Sequence, residues 1–484
     1  MKQTYDYLII GSGAGGAAAA YRLGAAGARV LVLEKGDPLP KDGSTLDPDL
    51  VVRQGAFLSR EPWLDGNDRT FYPEEHFNRG GKTKWYGAAL LRFDPAELTA
   101  DPGHDCLPWP FGYAILEPYY REAEALLGVR QFPVESDFAR IAAGLARRDP
   151  AWHPRTLGVG LAEGILNAPE EARHFDGFAS LRGLKSDAET CLLDRAGATV
   201  EVRTGSPVVS LVPDPRDPRR VRGVVCADGS QHRAETVLLG AGALHSPRLL
   251  QGYLEDTRLG DSLPCATQVG RYYKCHVLTA LLAFGHRPVR DLLCKTALLL
   301  HDALPHSSVQ TLGGNLAEEI VRAQAPRFAR VVVGPVARRA YGFFLQTEDG
   351  SHPDNRVRRG PGGTPQLDHD WARLPQARDE HRRLVRTLSA RLLQLGYLPV
   401  AKPIPLAGTA HACGTLVAGV DPSRSVVDAE GRVHGMDNLF VVDGSILPRS
   451  SRVNPALTIF AWALRVADRL AGTRAVRPTE EVVA

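Results

Sequence analysis

YDYLIIGSGAGGAAAAYRLGAAGARVLVLE, residues 5–34, decides the fold of this chain. An apolar run at 5–10 reads as a buried strand, and GSGAGG at 11–16 follows it directly. A helix rich in small residues then runs to about Gly24, and a second apolar strand ends at Glu34. This is the opening of a dinucleotide-binding βαβ unit. Gly11 permits the tight turn, Gly13 lets the backbone approach a pyrophosphate, and Gly16 lets helix and strand pack closely. The helix N-terminus offers free N–H groups and the positive end of its dipole to the anion. Glu34, about 20 residues on, is placed to accept hydrogen bonds from ribose hydroxyls. Its charge disfavours a 2′-phosphate, but the motif alone does not separate FAD from NAD.

Working outward, residues 36–78 are rich in Pro, Asp and Gly and read as a long loop region. An amphipathic helix is expected around 117–127, and segments 199–203, 207–212 and VRGVVCADG (221–229) read as a β-meander. TVLLGAGALHSPRLL (236–250) reads as strand, Gly turn and helix. Between about 270 and 350 the runs HVLTALLAF, VVVGPV and GFFLQTE suggest an antiparallel sheet. A helix is expected over about 376–395, and the tail RPTEEVVA reads as frayed.

With 484 residues the chain exceeds one ordinary core, so two closely joined domains are expected. A hydrophobic content of 44% with 23% charged residues describes a globular protein. The net charge of +3 is spread along the chain, which argues against a nucleic-acid partner. Seven Cys without a short-range pairing pattern fit reduced thiols in a cytoplasm. Met1 leads at once into a strand, and no run reaches the roughly 18 apolar residues of a membrane span. A cytoplasmic location is therefore expected.

Three further segments carry chemistry. RGGKTKWYGAALLRF (79–93) has a Gly-Gly turn followed by Trp85 and Gly87. GAGALHSPRLL (240–250) offers another strand-end Gly turn. The last, HACGT at 411–415, is followed by LFVVDG at 439–444 and by Asn454-Pro455 opening a helix through about Leu470. Pro suits a first-turn position because its missing N–H would be unpaired there anyway.

In this order the segments resemble the glucose–methanol–choline (GMC) family of flavoprotein oxidoreductases. KTKWYGAAL and the His/Asn pair look most like its bacterial pyranose-oxidase and sugar 3-oxidase branch. The resemblance implies an α/β fold: a Rossmann-like FAD domain over 1–95, 191–275 and 405–484. A discontinuous α+β substrate domain over 96–190 and 276–404 would lay an antiparallel sheet over the flavin. It assigns FAD contacts to Gly11, Ser12, Gly13, Ala14, Gly15, Gly16, Glu34 and Lys35. Further contacts fall on Arg79, Gly80, Thr83, Lys84, Trp85, Gly87, Val208, Gly240, Ala241, Asp443, Gly444, Asn454 and Pro455. Several relatives attach the flavin through a His near Trp85 or Lys84. This chain has no His between His76 and His104, so noncovalent FAD is expected, with Trp85 or Tyr86 as a packing wall. No metal is expected.

The same resemblance implies oxidation of a C–OH group by hydride transfer to flavin N5. His411 takes the role of base, since a neutral imidazole near pH 7 is the natural proton acceptor. Asn454 would orient the substrate oxygen and stabilise developing alkoxide character. A rate that climbs near pH 6–7 is expected of such a base. Gln346 is placed to bind a sugar hydroxyl. His245, His276 and His434 read as structural, and Cys413 as buried filler. A sugar or glycoside hydroxyl is the expected substrate, with oxygen or another molecule as electron acceptor. A polyol, amino alcohol or aliphatic alcohol, or a non-redox lyase on this fold, are the alternatives.

Overall fold

The computed structural model describes residues 4–293, 295–324, 330–408 and 410–475. Its first sheet has seven strands. Thr4–Ile10 lies at the centre, with Val30–Leu33 and then Val200–Arg203 parallel on one side. On the other side Gln231–Leu239 runs parallel to it, and this strand forks. Its first half pairs antiparallel with Val221–Cys226, and its last three residues pair parallel with Leu439–Val441. Strand Val208–Pro213 closes the edge. Val200–Arg203 is thus an outer parallel strand and not part of the meander expected from its alternation. Period-2 patterning identifies a strand but says nothing about which edge it joins.

The central strands are buried on both faces and read as continuous apolar runs, as parallel sheets do. Helix Ala14–Ala25 covers one face, its Ala17–Ala20 run allowing close approach. The C-terminal helix Ala456–Ala475 packs beside it and is apolar almost all round its first three turns. Trp462 is fixed there by a hydrogen bond from Nε1 to the Val441 carbonyl, 2.9 Å.

A second sheet is wholly antiparallel. Its order is Leu398–Pro403, Val277–Phe284, Ala340–Thr347, Ser307–Leu312, Ala297–His301 and Trp152–Thr156. Alternation sorts its faces. Thr279 and Thr347 point outward to helix Pro375–Gln394, where His381 bridges both hydroxyls at 2.8 and 2.9 Å. The rows Leu278–Gln346–Ser308 and Ala280–Phe344–Gln310 face the other way.

Three further regions differ from the sequence reading. VVVGPV lies within a helix, Arg330–Ala337, that packs on helix Gly313–Gln324. A six-residue apolar run has no period long enough to separate strand from helix, and packing overrode the β-propensity of Val. Helix Ser136–Arg148 is not legible in the sequence reading. The expected loop at 36–78 contributes two short strands, Trp63–Asp65 and Thr70–Phe71, to a third sheet with Arg356–Arg359 and Pro365–Asp368. The tail 477–484 lies outside the described residues.

Candidate active site

A cavity of about 1280 Å³ separates the two large sheets and reaches into the first. That exceeds the roughly 300–1,000 Å³ of an ordinary small-ligand pocket. Gly11, Ser12, Gly13, Ala14 and Gly15 line it, with Glu34 and Lys35 from the second strand end. Thr83, Trp85, Gly87, Val208, Gly240, Ala241, Asp443, Gly444 and Pro455 line it too, as do His411 and Asn454.

The glycine turn divides into two kinds of position. A Cβ at Gly11 would run into the Gly240 carbonyl, one at Gly15 into the Val442 carbonyl, and one at Gly16 into the Gly11 carbonyl. Those three are required by the protein's own packing. A Cβ at Gly13 meets nothing within 4 Å, and its backbone (φ −69°) suits any residue. The space in front of Gly13 is therefore spare until something enters the cavity. No side chain caps this helix among the described residues, so its first-turn N–H groups are available to an anion.

Glu34 is held by Ser12, whose N–H and Oγ donate to Oε2 at 2.9 and 2.6 Å, and by Gly36 N–H to Oε1 at 2.9 Å. Burial raises its carboxyl against these hydrogen bonds. Oε1 keeps a lone pair for a ribose hydroxyl. Ser12 Oγ in turn accepts from Gly80 N–H at 3.0 Å, tying the second glycine turn to the first. Lys35 forms an ion pair with Glu61 and lies 3.9 Å over the Phe77 ring. Trp85 donates Nε1–H to Asn78 at 2.9 Å and stacks on His76 at 4.6 Å, presenting a fixed aromatic wall.

Asp443 spends both carboxylate oxygens on protein. Oδ1 accepts from Ser445 N–H and Oγ, and Oδ2 from Gly242 N–H and Ser246 Oγ. It locks strand Leu439–Val441 to helix Gly242–Thr257 beside the cavity. Pro455 precedes helix Ala456–Ala475 and places that N-terminus at the cavity wall.

Five residues assigned from the sequence stand back from the cavity. Gly16 packs against Gly11, and Gly80 is spent on Ser12. Lys84 is buried between Asp187 and Glu189 at 3.0 and 2.9 Å, and Arg79 pairs with Asp194 at 2.7 Å. These cations follow the carboxylates of segment 187–194. Gln346 donates to the Arg452 carbonyl at 2.6 Å, one row of the sheet away from Phe344. It braces the loop before Asn454 and does not reach the cavity.

The residue in the productive row is Gln310, absent from the sequence reading. Its Nε2 donates to Asn454 Oδ1, and its Oε1 is buried without a partner. No local signal marks Gln310; only strand register places it. His76 and His245 also line the cavity, and burial holds both imidazoles neutral. His434 lies elsewhere, bonded to Ser425 Oγ at 3.0 Å and the Gly419 carbonyl at 3.2 Å. Cys413 is fully buried packing.

The hydrogen bonds around His411 fix its tautomer. The Ser451 carbonyl can only accept, so His276 Nε2, 2.8 Å away, carries a proton. A neutral His276 then offers a lone pair at Nδ1. His411 Nδ1, 3.2 Å from it, must donate, which leaves His411 Nε2 bare. Asn454 Nδ2 donates to that lone pair at 3.1 Å, and Asn454 Oδ1 accepts from Gln310. His411 therefore presents an unprotonated nitrogen at the cavity. Burial first, then the neighbouring His276, Lys295 and Lys82, hold its imidazole well below the usual range.

Comparison with known proteins agrees with this architecture. Residues 351–463 match the family model described as GMC oxidoreductase, and residues 9–42 match an NAD(P)-binding Rossmann-like domain. The chain is 30% identical to 6'''-hydroxyparomomycin C oxidase of Streptomyces lividus, covering 98% of this chain and 93% of that one. It is also 30% identical to paromamine 6'-oxidase of Streptomyces fradiae, over 99% and 94% of the two chains. Among solved structures, pyridoxine 4-oxidase from Mesorbium loti superposes with a TM-score of 0.71 at 21% identity, covering 96% and 99%. Among the described residues no helix is long and apolar enough to cross a membrane. The chain belongs to the GMC oxidoreductase family, as an FAD-dependent enzyme that oxidises a CH–OH group.

Proposed function

We propose that the substrate is a sugar or glycoside hydroxyl and that His411 is the base that deprotonates it. The observation that carries this reading is the bare Nε2 of His411 facing the cavity beside the Asn454 amide. FAD, when bound, supplies the acceptor for the substrate's hydride. The hydroxyl proton passes to His411 Nε2, and the Asn454 N–H turns from that nitrogen to the substrate oxygen. Asn454 has no proton-accepting nitrogen, so its part is orientation and charge stabilisation. Gln310 holds the amide by its oxygen, which keeps the N–H side toward the substrate.

The sugar class rests on the two aminoglycoside-named oxidases, which align over nearly the whole chain. A second reading, a less polar alcohol, has one observation in its favour. Ala280, Leu312, Leu316, Ile320, Phe344 and Ile404 all line the cavity, with Lys295 and Asp176 as an ion pair among them. Anaerobic mixing with a panel of sugars, glycosides, polyols and aliphatic alcohols separates the readings. Bleaching of the flavin by glycosides alone supports the first; bleaching by aliphatic alcohols alone sinks it.

We also propose the discontinuous partition read from the sequence. In its support, every strand of the seven-stranded sheet falls within 1–95, 191–275 or 405–484, and every strand of the six-stranded sheet within 96–190 or 276–404.

A further inference from the structure

His276 is a buried histidine with both ring nitrogens committed: one to the Ser451 carbonyl, the other to His411. The two imidazoles meet edge to face, 4.9 Å between centroids and 76° between planes. A histidine that merely fills space does not need an unusual backbone, yet His276 has φ +65°. Ser451, whose carbonyl receives its Nε2–H, also has φ +65°. Non-glycine residues are uncommon in that region, and two of them stand at the two ends of one hydrogen bond. Conformations of this kind persist where surrounding structure enforces them, often at functional sites.

We propose that His276 is the second station of a two-imidazole proton relay, so that the proton His411 takes from substrate comes to rest on His276. This rests on the reading of His411 as the base. The bookkeeping is closed. The substrate O–H bond breaks and a proton joins His411 Nε2. The His411 Nδ1–H bond breaks and its proton joins His276 Nδ1. His411 returns to a neutral ring with its proton on Nε2, and His276 becomes an imidazolium that donates to Ser451 and to His411. Bound FAD would supply the acceptor for the substrate's hydride, so alcohol would become carbonyl with no further co-reactant.

The surrounding charges favour that resting place. The titratable neighbours acting on His411 are His276, Lys295 and Lys82, every one of which opposes a positive charge there. His276 instead faces the carboxylates of Asp349 and Glu348 and accepts their field, although burial lowers its own imidazole. Glu348 is largely neutralised by Arg449 and His306, and Lys274 lies close by with its ammonium donating to the Tyr272 carbonyl at 2.7 Å. Asp349 is held by Cys275 N–H at 2.8 Å and Ser450 Oγ at 2.6 Å. Its field acts on His276 and is shared with Lys274. Moving the proton one ring further from the cavity also keeps it away from the reacting carbon, where it would oppose departure of hydride.

The test uses FAD-loaded protein labelled with ¹⁵N-histidine, with His276→Gln and His411→Gln variants to assign signals. At pH 8 His411 should show a protonated Nδ1 and a bare Nε2. As pH is lowered, the imidazolium signature should appear at His276, while the bare nitrogen of His411 switches from Nε2 to Nδ1. An imidazolium at His411 with His276 still neutral would overturn the relay. So would a pair that stays neutral down to acid unfolding, because a resting place must accept the proton.

Kinetics gives a second arm. Gln can accept from His411 through Oε1 and donate to Ser451 through Nε2, so His276→Gln preserves the hydrogen bonds but takes up no proton. With the panel compound that bleaches the parent fastest, its flavin reduction should slow on the order of 10- to 100-fold. Parent-rate reduction in His276→Gln sinks the relay and leaves His411 as base. Parent-rate reduction in His411→Ala sinks the base assignment itself, so the two failures are distinguishable.

Discussion

Asn454 donates its amide N–H to Nε2 of His411 across 3.1 Å, although 43 residues separate them in the chain. The pair is held from both sides, by Gln310 behind Asn454 and by His276 behind His411. Replacing His411 with Ala should slow reduction of bound flavin by substrate about 10²–10⁴-fold, the usual worth of a positioned base. FAD should stay bound, because the glycine turn and Glu34 lie elsewhere in the cavity. Asn454→Ala should slow reduction too, yet keep the shape of the pH profile. Rapid-mixing spectroscopy under nitrogen measures both.

The pH profile should sit lower than the sequence suggests. The active base is neutral, so the rate climbs as pH rises through the apparent pKa of the imidazole pair. An ordinary histidine would put that limb near pH 6–7. Burial and the surrounding cations depress His411, which moves the limb below about 6.5. A rate that still climbs between pH 7 and 8 would contradict this assignment.

The two kinds of glycine in the first turn predict opposite failures. Gly13→Ala should melt close to the parent as apoprotein but bind FAD more weakly, since only the incoming cofactor competes for that space. Gly15→Ala drives a methyl into the Val442 carbonyl, so the apoprotein itself should lose about 1–3 kcal/mol. Thermal melts with and without FAD, beside a fluorescence titration of the cofactor, separate them.

Glu348 and Arg449 form a buried bidentate pair at 2.9 and 2.7 Å, with His306 on the same carboxylate at 3.0 Å. Burial alone would raise the Glu348 carboxyl, but Arg449 and His306 together hold it well below the usual range. Its stabilisation is therefore present above about pH 4.5 and is lost only as pH falls toward the depressed value. Burial lowers the His306 imidazole, but its carboxylate partners win and raise it above 6.5. That contribution is full below about pH 6.5 and disappears as pH rises through the folded value. Arg449→Met should cost about 3–5 kcal/mol by taking the bidentate partner from a buried carboxylate and leaving it only His306 as a cationic partner. His306→Asn should flatten the decline of stability on the alkaline side. Denaturation at several pH values tests both.

Acid precipitation should release the flavin into the supernatant. Yellow colour retained in the pellet would mean a covalent link, and His76 would be the first residue to test, since it lines the cavity and stacks on Trp85.

What the sequence disclosed and what it hid follow from range. The βαβ opening, the Asp443 strand end and the helix after Pro455 are local patterns, readable from spacing and backbone chemistry. Gln310 and His276 are not, because their importance arises from strand register and from a turn folded against residues 135 positions away. Gln346 was legible as a residue on the right strand, but the sequence could not say that one further row of the sheet carries it onto Arg452. The family resemblance assigns Lys84 and Arg79 to the cofactor, while the carboxylates that claim them lie about a hundred residues on.

The forked strand Gln231–Leu239 has a consequence for synthesis. Its partner Thr4–Ile10 leaves the ribosome some 230 residues earlier, and the strand that completes the fork, Leu439–Val441, some 200 residues later. At about 5–20 residues per second the N-terminal strand waits on the order of ten seconds or more for its neighbour, and a comparable time again for the third. Through that interval an apolar strand edge stands open, and no chain shorter than 411 residues holds both the glycine turn and His411. The complete cofactor cavity can therefore form only after Asn454 and Pro455 have been made, so scarcity of FAD should show as lost soluble protein before it shows as inactive enzyme.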